Sequence, residues 1–114
     1  MKFAGTWHIT EMDEWSKDYI NTEVQAYLKF DRQGNGKFQF GLVRGHIVDG
    51  WLDDDGAGYE FRWAGSDEMD EASGTCLLSL QDKDHLEGEL TFDNADSSGF
   101  LAKRAASSRT SRKK

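Results

Sequence analysis

VQAYLKFDRQGNGKFQFGLV, residues 24–43, decides the fold. Val24, Ala26, Leu28 and Phe30 alternate with Gln25, Tyr27, Lys29 and Asp31. Gln33-Gly34-Asn35-Gly36 supplies a turn. Phe38, Phe40 and Leu42 then share one face, opposite Lys37, Gln39 and Gly41. Successive side chains of a strand point to opposite sides, so apolar residues at period two on both sides of Asn35-Gly36 predict a β-hairpin.

Working outward toward the N-terminus, Phe3, Gly5, Trp7 and Ile9 alternate with Ala4, Thr6, His8 and Thr10, a first strand. Thr10-Glu11-Met12-Asp13 has the form of a capping box, and Met12, Trp15 and Tyr19 follow at helical spacing. This predicts one short helix over residues 11–20, crossing the end of the sheet.

Toward the C-terminus, Val43 to Leu52 reads as strand, with Gly41 or Gly45 as the place for a bulge. Asp53 to Gly58 is a loop, and Tyr59, Phe61 and Trp63 mark the next strand. Gly65 to Gly74 reads as a polar loop with one helical turn at Asp67-Glu68-Met69-Asp70. Cys76, Leu78 and Leu80 mark a strand, Asp82-Lys83-Asp84 a turn, and Leu86, Leu90 and Phe92 another strand. Ser97-Ser98-Gly99 reads as the last turn and Phe100 to Arg104 as the last strand.

About eight short strands joined by short turns predict an antiparallel meander. A flat sheet of that size leaves two unpaired edges and an exposed apolar face, so closure into an up-and-down barrel is the better solution, with a sandwich as the alternative. The barrel is expected to occupy residues 1–104. Residues 105–114 lack apolar periodicity and are expected to form a disordered basic tail.

The 114 residues suffice for one core. Net charge is −7, unevenly spread: Lys103 to Lys114 holds six bases and no acid, leaving eight bases against all 21 acids before it. A body so acidic repels phosphate backbones, which argues against a nucleic-acid partner. No apolar run is long enough to span a membrane. The N-terminus lacks a secretion-type apolar stretch and Cys76 stands alone, so the expected location is cytoplasmic.

Gly5-Thr6-Trp7 on the first strand, with Lys103 or Arg104 near the end of the last, resembles the calycin superfamily, the lipocalin-like barrels. The resemblance implies an eight-stranded barrel whose first connection forms a lid, and a terminal base packed across the indole of Trp7. Arg104 has the inward parity of Phe100 and Ala102, and Arg stacks well on an indole. The second lipocalin motif, Thr-Asp-Tyr, is absent. The runs Gly5 to Trp15 and Asp67 to Asp70 also resemble small bacterial proteins of unassigned function.

Parity puts Trp7, Phe30, Phe38, Phe40, Phe61, Trp63, Phe92 and Phe100 inside. An eight-stranded barrel is just wide enough for side chains to fill, so this lining suits either a packed core or a small apolar pocket. For a pocket, the expected ligand-binding residues are Trp7, Phe38, Phe40 and Trp63, roofed by Met12, Trp15 and Tyr19. Tyr27, Val43, Trp51 and Leu77 are candidates for an exposed apolar patch on the outer face.

Asp53-Asp54-Asp55-Gly56 lacks the spacing and the terminal Glu of a calcium loop. His8, His46, His85 and Cys76 form no close ligand pair, so neither a metal nor a cofactor is expected. Nucleophile elbows and phosphate loops are also absent. The first expectation is therefore a non-enzymatic barrel binding a small apolar ligand. The second is a protein-interaction or homodimerisation module with a packed core and a patch near Trp51. The third is an enzyme at the barrel mouth using His8 or His46.

Overall fold

The hairpin at 24–43 forms as β2 (Tyr27–Phe30) and β3 (Gly36–Phe40) in the computed structural model, which describes residues 1–94 and 96–105. Asp31 organises its turn. The carboxylate accepts from the backbone N–H of Gln33 and of Asn35, at 2.8 and 3.0 Å. Leu28, Phe30, Phe38 and Phe40 are buried, as their alternation requires.

The other strands are β1 (Gly5–Met12), β4 (Val43–Leu52), β5 (Gly58–Asp67), β6 (Asp70–Asp82), β7 (His85–Phe92) and β8 (Ser97–Arg104). Each pairs antiparallel with the next, and β8 pairs with β1, giving a closed eight-stranded barrel. Closure leaves no sheet edge. The tail beyond Ala105 lies outside the described residues.

Bulges correct several sequence expectations. In β1 the register shifts between Ile9 and Glu11, so Trp7, Ile9 and Met12 all face inward. One extra residue reverses the alternation of everything after it. Met12 thus reaches the core as a strand residue, and the helix expected over 11–20 shrinks to α1 (Lys17–Ile20), capped by the hydroxyl of Ser16 accepting from Tyr19 N–H. In β4 the bulge lies between Ile47 and Asp49, not at Gly41 or Gly45. It turns Trp51 outward, while Val43, expected outside, is buried.

Two expected loops are also corrected. Residues 65–74 continue β5 and β6 around a two-residue turn at Glu68-Met69, with Asp67 paired to Asp70. Ser97-Ser98-Gly99 belongs to β8, which starts at Ser97. In both places polar and small residues lie within strands, where composition resembles that of a turn.

The interior is occupied by rings. Trp7, Phe38, Phe40, Phe61 and Trp63 are all 0–2% exposed. Near the base Phe3, Phe30, Tyr59 and Phe61 contact one another at centroid separations of 5.4–6.4 Å. Higher up, Phe38 meets Trp63 edge-on at 5.1 Å and stacks on Phe40 at 6.2 Å. Inward-facing glycines make room: a Cβ on Gly45 would meet the ring of Phe38, and one on Gly88 the ring of Phe100. Large rings set against residues without side chains are how a tapered barrel fills.

Candidate functional site

The connection between β1 and β2 closes one end of the barrel. Gly41 N–H donates to Ile20 O at 2.8 Å, and Leu42 N–H to the Tyr19 hydroxyl at 3.3 Å. Gly41 has φ +55, and any Cβ there would fall within the Tyr19 ring. Only glycine takes this backbone conformation freely and lets Tyr19 approach so closely. On the other side, Asp13 N–H donates to Gly99 O and Glu14 N–H to Ser98 Oγ. Leu42 O accepts from Glu68 N–H at 3.0 Å, so the β5–β6 turn is tied to the same structure.

Trp15 lies across this end, half-buried. Its ring is 5.1 Å from Phe40, 6.2 Å from Phe92 and 6.5 Å from Tyr19 by centroid. Phe92 in turn stands perpendicular to Trp63 at 5.2 Å. The structure thus brings Trp15, Tyr19, Phe38, Phe40 and Trp63 into one aromatic column. Trp7 lies apart, at the base.

Beside Trp15 the long β5–β6 hairpin and the β7–β8 turn enclose a cleft of about 790 Å³. Trp15 and Phe92 are its aromatic lining residues, with Ala64 and Ala72 beside them. Asp67, Asp70 and Glu71 from the hairpin and Asp93 and Asp96 from the turn also line it, with His46, Ser73 and Asn94. Asp93 is fixed: Arg62 donates to both its oxygens at 2.9 and 2.7 Å, and Ser73 Oγ donates at 2.8 Å. The hydrogen bonds from Arg62, then the one from Ser73, hold its carboxyl down to about 2, so it is ionised at neutral pH.

The carboxylates are spread around the cleft. Among the described residues no three His, Cys, Asp or Glu side chains converge as a metal-holding group. His46 is exposed and makes no hydrogen bond to a carboxylate among the described residues, which leaves it without the oriented partner a general base uses. His8 does not line this cleft. His85 sits at the opposite end, its Nδ1 2.9 Å from Asp82. Cys76 is wholly buried, and desolvation pushes its thiol well above the usual range, against nucleophilic use.

At the base, Arg104 and Trp7 are register partners across β8 and β1, and the guanidinium carbon lies 4.2 Å from the indole centroid. On the outer face, Trp51 and Leu77 are 52% and 55% exposed, while Tyr27 is half-buried. Sequence reading named Trp15 and Phe92 but missed the carboxylates around them. They come from two turns some 25 residues apart, and in a chain with 21 acids no local signal separates them. Compared with known proteins, the chain matches no family model, no curated protein and no solved structure.

Proposed function

We propose that the protein is a non-catalytic, calycin-type small-ligand-binding barrel whose ligand sits at the Trp15 end, in the cleft rather than among the interior rings. The observation that carries this reading is that Trp15 and Phe92 line one cleft of about 790 Å³ together with five carboxylates, four of them outside the Arg62–Asp93 pair. Ring faces are electron-rich and attract cations, and ionised carboxylates add attraction and select against anions. The ligand class that fits is an organic cation with an apolar body, such as a quaternary or aryl-alkyl amine. The full burial of Trp7, Phe38, Phe40 and Trp63 supports giving those four a packing role beneath the site. Trp15 is left as the ligand-facing member of the expected set, with Tyr19 packed against it.

The test is a tryptophan-fluorescence titration with benzyltrimethylammonium, using neopentylbenzene as the neutral isostere. Saturable quenching by the cation alone, lost in Trp15→Ala and weakened in Asp67→Asn, supports the reading. Equal response to both probes, or a response unchanged by Trp15→Ala, rejects it.

A second reading is favoured by one observation on the outer face of β4, β5 and β6. Trp51 and Leu77 flank Glu60 in register across β4, β5 and β6, and both are more than half exposed. We infer that this row supports a homodimer, since exposed aromatic and aliphatic side chains grouped on one face favour protein contacts. Sedimentation of the native protein against Trp51→Ala decides it: a monomer at high micromolar concentration rules the dimer out.

A further inference from the structure

Gln39 is an anomaly on the outside of the barrel. Its neighbours Phe38 and Phe40 point into the core, so Gln39 faces outward, yet it is only 8% exposed. Its Nε2 is buried and has no hydrogen-bond partner. Buried amide donors are rarely left unpaired, because losing water without a replacement costs stability.

The surroundings show what would pair it. Gln39 lies opposite Tyr27 on β2 and Arg44 on β4, and Arg44 lies opposite Ser66 on β5. Two adjoining grooves of about 340 and 330 Å³ share Gln39, Arg44 and Ser66. At one end Lys37 and His46 add donors; at the other stand Glu23 and Glu68. Arg44 is exposed and makes no hydrogen bond or ion pair with another side chain among the described residues. The row is therefore rich in donors, and its central donor is unsatisfied.

We propose that this groove is a binding site for a carboxylate on a short apolar body, distinct from the Trp15 cleft, with which it shares His46 and Gly65. The carboxylate oxygens accept from Gln39 Nε2 and the Arg44 guanidinium, the pairing for which a planar fork of donors is best suited. Arg44, unpaired and at the surface, moves to admit it. The Tyr27 ring and Leu42 give the apolar body a surface. Glu23 and Glu68 repel a second negative group at the far end, so a monocarboxylate is preferred over a dicarboxylate of similar length. The grooves are small, which suits a free acid or the C-terminal residues of a peptide.

The experiment follows the Gln39 side-chain NH₂ signals by ¹⁵N-edited NMR during titration with benzoate, with benzamide as the neutral control. A saturable shift with benzoate and none with benzamide is expected. Arg44→Gln, a surface change that leaves the core intact, should weaken the response roughly tenfold, equal to about 1.4 kcal/mol. Trp15→Ala should leave it unchanged, which keeps this site distinct from the cleft. A peptide ending in a free Leu carboxylate, tested beside its amidated form, separates the two carboxylate sources by which of benzoate and peptide binds more tightly. The proposal is overturned if neither acid produces a saturable shift, if benzamide acts as benzoate does, or if Arg44→Gln has no effect.

Discussion

The guanidinium carbon of Arg104 lies 4.2 Å from the indole centroid of Trp7, while its nitrogens donate four hydrogen bonds to three backbone carbonyls. Nη1 donates to Ala4 O, Nη2 to Lys2 O, and Nε and Nη2 both to Lys83 O, at 2.8–3.1 Å. The indole Nε1 of Trp7 donates to Phe3 O at 2.9 Å. One side chain near the end of the last strand thus fastens the N-terminal segment, the start of β1 and the β6–β7 turn.

Arg104→Ala is therefore expected to lower stability by about 2 kcal/mol, combining the lost ring contact with carbonyls deprived of a charged donor. Arg104→Lys should recover only part, because an ammonium cannot stack and reach three carbonyl oxygens together. Urea unfolding of the three proteins measures this. Equal midpoints for Arg104→Ala and the native protein would show that the base is held by other contacts.

Phe38→Ala tests whether the interior is filled. Phe38 is 2% exposed and touches Phe40 and Trp63. Removing so large a side chain from a close-packed core costs about 3–5 kcal/mol through lost burial and the cavity left behind. A loss below about 1 kcal/mol in denaturant unfolding would mean that Phe38 lines open space.

Gly41→Ala tests the lid. The new methyl group needs the space of the Tyr19 ring and a positive φ that alanine adopts poorly. The expected result is a loss of about 2 kcal/mol or more and release of the α1 segment. In a Trp51→Phe background, Trp15 should then become more accessible to acrylamide, with Trp7 and Trp63 still protected. An unchanged quenching constant would place the lid's anchorage elsewhere.

The Arg62–Asp93 pair carries a pH dependence whose sign follows from its cause. Hydrogen bonds from Arg62 and Ser73 lower the folded carboxyl to about 2, below its value in the unfolded chain. A carboxylate depressed on folding stabilises the protein above its unfolded pKa, and the contribution disappears as pH falls through the folded one. The difference in melting temperature between the native protein and Arg62→Ala should thus be constant near neutrality and shrink between about pH 4 and pH 2. Both side chains are substantially exposed, so the difference should be small and fall further in salt. A gap that widens on acidification would contradict the assignment.

Alternation in the sequence determined the strands themselves, because side chains on a strand must divide between core and solvent. Phe38, Phe40, Phe61 and Trp63 are buried as their period-two spacing requires, and the inward parity of Arg104 follows from Phe100 and Ala102. The eight strands and their meander order were legible for the same reason. Tertiary structure alone decided the exceptions. A bulge adds one residue to one strand, and its position depends on the register of its neighbours, so local spacing could not show that Met12 turns inward or Trp51 outward. Nor could it show that Gln39, polar and on the outer face, is covered by Tyr27, Arg44 and their neighbours, or that acids from two separate turns meet beside Trp15. Those arrangements arise from closing the barrel, which brings together residues that no stretch of chain holds in common.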